Sequence, residues 1–199
     1  MRYVIKSTAI IATVACSGCV VHDNLERNAT ASSIGESTIV VMGVDQNYQV
    51  EINKGYADGN DVSMSSAPGA LSVFPQNGYI VGKVSPSKDD EVQVLYMIRP
   101  NGYGMFKDSY RPCNGERTAT FSALPGRVIY IGDVHFVKEN KQLQLVYSYH
   151  PDAAKQYINQ NYPGLESSFV AAPATFRTMT KVSCDPLHVV VHIQMQGSR

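Results

Sequence analysis

The sequence predicts a mainly β domain: an antiparallel β-sandwich of about eight or nine strands with one short helix. Three observations carry that expectation. Short runs rich in Val, Ile and Tyr alternate apolar with polar positions along most of the chain. Gly, Pro, Asn and Asp punctuate these runs at short intervals. Helical spacing is convincing in a single segment, close to residue 151. A barrel would show the same signs, and the sandwich is the form expected.

Taken in order, Thr38 to Val44 is a continuous apolar run, which predicts a strand buried on both faces. Tyr48, Val50 and Ile52 alternate with polar neighbours, as in a half-buried strand. Lys54 to Pro75 is rich in Gly, Ser and Asp and reads as a long loop, with at most a short strand near Leu71–Phe74. Loops of that length are often functional, so a binding surface is expected there first. Tyr79 to Val84 is a strand, and Val92, Val94, Tyr96 and Ile98 form one face of the next. Pro100-Asn101-Gly102 turns that strand towards a return from Tyr103 to Phe106. Arg117 to Ser122 is weaker, and Leu124-Pro125-Gly126 is a turn.

Arg127 to Phe136 is the most strand-like segment. Strict alternation puts Val128, Tyr130, Val134 and Phe136 on one face, with Ile129 and Ile131 opposite. Gly132 predicts a bulge or a close backbone approach. Leu143, Leu145, Tyr147 and Tyr149 supply a hairpin partner. The helix is Pro151 to Tyr162, with proline suited to its first position and Pro163-Gly164 to stop it. It is too short to stand alone, so Tyr157 and Ile158 must dock on the sheets, over a sheet edge or barrel end. Phe169 to Met179 is ambiguous, and Leu187 to Met195 reads as the last strand.

The N-terminus carries a different signal. Arg2 and Lys6 precede an apolar run from Thr8 to Ala15, and Ser17-Gly18 precede Cys19. A charged start, a short apolar run and small residues mark an export signal, and the run is too short to span a membrane. The ending resembles a bacterial lipoprotein signal, which implies cleavage after residue 18 and lipidation of Cys19. Thr13-Val14-Ala15-Cys16 would place the lipid on Cys16 instead, and an ordinary cleaved signal would leave a free N-terminus. The expected organisation is a signal over 1–18, a lipidated N-terminus and flexible tether over 19–36, and the β-domain over 37–199. Val20 after the cysteine resembles the sorting signal for the outer membrane.

Removing residues 1–18 leaves 15 basic and 17 acidic residues, a formal charge of −2. No basic stripe exists for a nucleic-acid partner, and none is expected. Cys113 and Cys184 remain as an even pair, so an exported protein is expected to join them in a disulfide. Two buried thiols that never meet are the alternative. No metal or other cofactor is expected.

Candidate sites are few. His188 and His192 mimic a zinc pair, but four residues of strand separate them by about 13 Å, too far to share one ion. Asp133 and His135 share a strand face at about 7 Å, where a water or ligand would bridge them; a His–carboxylate pair can act as a general base. Asp58, Asn60 and Asp61 offer oxygen ligands without the spacing of a calcium loop. Tyr48, Tyr96, Tyr130 and Tyr147 fall on apolar faces and are expected in the core, while Tyr103 and Tyr110 are the surface candidates.

Leu124-Pro125-Gly126-Arg127-Val128-Ile129-Tyr130-Ile131-Gly132-Asp133, with Asp152-Ala153-Ala154 and Tyr162-Pro163 after it, resembles a pattern in bacterial envelope lipoproteins of β-sandwich type. The resemblance covers about forty residues of turn and strand chemistry. It implies fold class and compartment and transfers no functional residue.

The expected function is that of an outer-membrane-anchored lipoprotein. It is read as non-enzymatic, a binding or accessory module in the cell envelope with a protein partner there and a domain that is periplasmic or surface-exposed. The alternative is an envelope hydrolase, or a metal- or small-ligand-binding protein, that uses the Asp133/His135 face.

Overall fold

The computed structural model describes residues 24–66, 69–100, 109–139, 142–182 and 192–195. The first half of the chain holds α1 (Ala31–Ile34), β1 (Thr38–Val44), β2 (Tyr48–Asp58), β3 (Asp61–Met64), β4 (Leu71–Val73), β5 (Tyr79–Val84) and β6 (Glu91–Pro100). The second half holds β7 (Arg117–Phe121), β8 (Val128–Glu139), β9 (Gln142–Ser148), α2 (Pro151–Asn161), β10 (Phe169–Ala171), β11 (Thr175–Thr180) and β12 (His192–Met195). A 3₁₀ helix, Pro163–Ser168, follows α2.

The strands form two sheets. One is open, in the order β12-β9-β8-β1-β5, with β10 beside the start of β8. In the other, β2, β3, β11, β7 and β6 pair in a ring that closes on itself, and β4 lies against the first part of β2. The fold is thus mainly β with two sheets, as expected, but one sheet is a five-stranded barrel and the plain sandwich is corrected. The all-antiparallel expectation is corrected as well: β1 and β10 run parallel to β8, β3 to β11, and β12 to β9. Twelve strands are described where about eight or nine were expected, because β3 lies in the segment read as a loop and β10 and β11 lie in the segment read as ambiguous.

Three apolar clusters follow from this layering. The largest joins the two sheets, with Val40, Met42, Ile129, Ile131, Val134 and Leu145 from the open sheet meeting Val50, Ile52, Leu95 and Phe121 from the barrel sheet. The second lies on the outer face of the open sheet, where Ile39, Val41, Val128 and Tyr130 are covered by Ala154, Tyr157 and Ile158 of α2. The third, with Val62, Val92, Val94 and Met179, belongs to the barrel's opposite face. Every residue of β1 is buried, which bears out the continuous apolar run read as covered on both sides. The helix docks through Tyr157 and Ile158 as expected, but it covers a sheet face rather than an edge.

Three local readings change. Lys54 to Pro75 is not a loop, since β2 continues to Asp58 and turns directly into β3. Tyr110, expected at the surface, is buried and bridges to Ile98. From Asn24 onward the segment read as a flexible tether is part of the domain. Leu25 N–H donates to Val81 O on the free edge of β5, at 2.7 Å. The Asn24 side chain accepts from Val81 N–H and donates to Phe74 O. Thr30 and Ser33 cap α1 reciprocally and Ile34 is buried in the outer cluster. Small polar residues here satisfy backbone groups instead of marking disorder. Pro100-Asn101-Gly102, Tyr103 to Phe106, His188 and Cys184 involve positions outside the described residues.

Candidate functional site

The site is built on a bulge in β8. Between Val41 and Gly43 the partner β8 advances from Tyr130 to Asp133, one residue more than β1. Gly132 carries the bulge with φ at +117°, a conformation side chains rarely adopt. A Cβ there would collide with the ring of Tyr147. Both features expected of Gly132 are present, and together they correct the facing of β8. Ile129, Ile131, Val134 and Phe136 all belong to the inter-sheet core, whereas Val128 and Tyr130 belong to the outer cluster. Past the bulge, Asp133 and His135 continue the outer face.

Asp133 and His135 share a face as the sequence suggests, yet each is bonded to another partner. Asp133 Oδ2 accepts from His150 Nδ1 at 2.8 Å, with the aspartate side chain nearly buried and the histidine side chain 57% exposed. His150 occupies the N-cap position of α2 without capping it through its side chain. Its backbone N–H donates to Tyr130 Oη at 3.0 Å, and the Tyr130 ring stacks on Tyr149. Burial pushes the Tyr130 hydroxyl far above the ordinary tyrosine range. The His150 N–H opposes this, while the charge and hydrogen bond of Asp133 add to it. Tyr130 therefore stays a neutral donor beside the carboxylate.

The second pair joins a turn to the same strand. Asp45, just past β1, accepts from His135 Nδ1 at 2.9 Å and from Phe136 N–H at 2.7 Å. Between the pairs lies a cleft of about 310 Å³ lined by Gly43, Asp45, Gly78, Tyr79, Asp133 and His135. Gly43 is needed here, because a Cβ would collide with Asp133 Oδ1. Burial, then the charge of Asp133, raises the Tyr79 hydroxyl above its ordinary value, and its ring stacks on Tyr157. Asp133 Oδ1 has no hydrogen-bond partner, nor does the buried Oγ of Ser148 directly across the ladder. The cleft opens at the carboxyl end of β1, beside the middle of β8.

Chemically, the carboxylate of Asp133 holds Nδ1–H of His150 and leaves the opposite ring nitrogen as the acceptor. That is the arrangement of an oriented general base. Neither Asp45 nor His150 was singled out from sequence. His150 lies 17 residues from Asp133, and Asp45 lies 90 from His135, so no spacing rule connects them. Among the described residues, no three His, Cys, Asp or Glu side chains converge as a metal site would require. Asp58 and Asp61 pair across the β2–β3 turn, and Asn60 O accepts from Thr178 N–H.

The remaining expected residues are placed apart from this cleft. Cys113 sits before a turn and its N–H donates to Glu116 Oε2 at 2.7 Å. Its expected partner Cys184, and Cys19, lie outside the described residues. His192 falls in β12, opposite Gln144 of β9. No family model, curated protein or solved structure matches the chain.

Proposed function

We propose that the protein is a lipoprotein anchored in the outer membrane through Cys19, acting non-enzymatically as a binding or accessory module for an envelope protein partner. One observation carries the reading: the export signal ends in Ser17-Gly18-Cys19, and the side chain of Asn24, five positions later, is bonded to the domain at Val81 and Phe74. The expected Cys113–Cys184 bridge belongs to the same reading, since an exported protein matures in an oxidising compartment. Intact mass of the mature protein tests it. A diacylglyceryl-modified Cys19 at the N-terminus is expected, together with membrane release of Cys19→Ala. A free N-terminus at any other residue overturns the reading.

A second reading is favoured by the Asp133–His150 geometry. In an envelope hydrolase or small-ligand-binding protein, His150 would serve as the oriented base in place of the expected His135. Complementation of a deletion strain separates the two. The accessory reading expects His150→Ala to restore the wild-type phenotype, and the hydrolase reading expects loss of function at normal expression.

A further inference from the structure

We propose that the domain docks on the phospholipid bilayer through the surface around Phe74. The inference rests on the lipid-anchor reading and deepens it. Asn24 is fixed by two side-chain hydrogen bonds, one to Val81 N–H and one to Phe74 O. Four residues lie between it and Cys19, and even a fully extended chain covers at most about 18 Å over those five steps. A lipid on Cys19 inserts at the interface, so the Asn24 side of the domain is confined to within that distance of the headgroups. The domain is thus leashed by one edge rather than swinging freely on a long coil.

Phe74 is the large apolar side chain found at that edge. It is 40% exposed and directly follows β4. Half-buried Pro75 follows it directly. Among the described residues, the other exposed large apolar side chains are Tyr56, Leu124 and Val137. Leu124 marks the opposite end of β1, because its carbonyl accepts from the Thr38 hydroxyl at the start of that strand. Phe74 belongs to the other end, where the Gln76–Tyr79 bridge brings its loop to Gly43. The two ends of β1 are about 20 Å apart. A phenyl group held at an interface gains by burial among acyl chains, whereas Leu124 stays in water.

The chain contains no tryptophan, so a single Trp reports its own depth. The experiment reconstitutes the full mature protein in phosphatidylethanolamine–phosphatidylglycerol vesicles, with and without brominated acyl chains. Phe74→Trp is expected to emit to the blue and to lose most of its intensity with brominated lipid, while Leu124→Trp does neither. Unquenched emission from Phe74→Trp, or equal quenching of both, overturns the docking proposal. Mass analysis of the same preparation separates the two levels. Protein without lipid on Cys19 ends the anchor reading and this one with it, whereas lipidated protein with an unquenched Phe74→Trp ends only this one.

Discussion

The barrel and the open sheet dispose of their edges and polar groups in opposite ways. The barrel closes its ring by strand pairing, and its buried threonines are tied to main chain. Thr118 donates to Leu95 O, and Thr120 to Thr175 O. Its ion pairs, Lys54–Glu91 and Arg99–Glu51, join side chains on adjacent strands and retain solvent contact. Pairs of that kind contribute little to stability. The open sheet instead covers its β5 edge with Asn24 and Leu25, covers one face with α2, and gathers two histidine–carboxylate pairs where β1 ends beside the middle of β8. Closure leaves a sheet self-sufficient, while an open sheet must recruit other elements. Those recruited elements bring the chemistry.

The largest expected effect tests the bulge that creates this difference. Gly132→Val forces a side chain into a positive-φ position against the Tyr147 ring and should cost about 4 kcal/mol or more in denaturant unfolding. A cost near that of a surface substitution would mean β8 does not need its bulge. Next come paired truncations, each worth about 2–5 kcal/mol. Ile129→Ala opens the inter-sheet core and should weaken amide protection throughout. Met179→Ala opens the small barrel cluster and should raise exchange mainly in β3 and β11, leaving β1 and β8 protected. Uniform loss in both variants would show that the two sheets unfold as one unit.

Asp133→Ala is expected to cost about 1–3 kcal/mol, since it leaves His150 and Tyr130 without their shared carboxylate. The His150 ring resonances should also shift, which a change confined to the barrel would not cause. Alkaline pH gives a further contrast. Burial raises Tyr147 and Tyr162 to about 12, against 10.0 in the unfolded chain. The folded state then binds more protons than the unfolded one above pH 10.0, so stability should be full below that value and decline as pH rises towards about 12. Stability measured against pH, with Tyr162→Phe flattening the decline, checks the sign. Ser148→Ala is the smallest effect, within about 0.5 kcal/mol and on the stabilising side, because it removes a buried hydroxyl that has no partner.

The sequence by itself determined several of the local elements. Periodicity located β1, β5 and α2 almost to the residue, the unbroken apolar run marked β1 as buried on both faces, and Gly132 marked the irregularity in β8. These features are legible because apolar spacing and backbone tolerance act within a few residues. Tertiary structure alone decided that β1 lies parallel to β8, that five strands close a ring, and that polar residues 24–36 pack instead of trailing. It also exchanged the expected Asp133–His135 pair for Asp133–His150 and Asp45–His135. Hydrogen-bond partners so far apart along the chain are chosen by how sheets and helix stack, and no residue's neighbours in sequence record that choice.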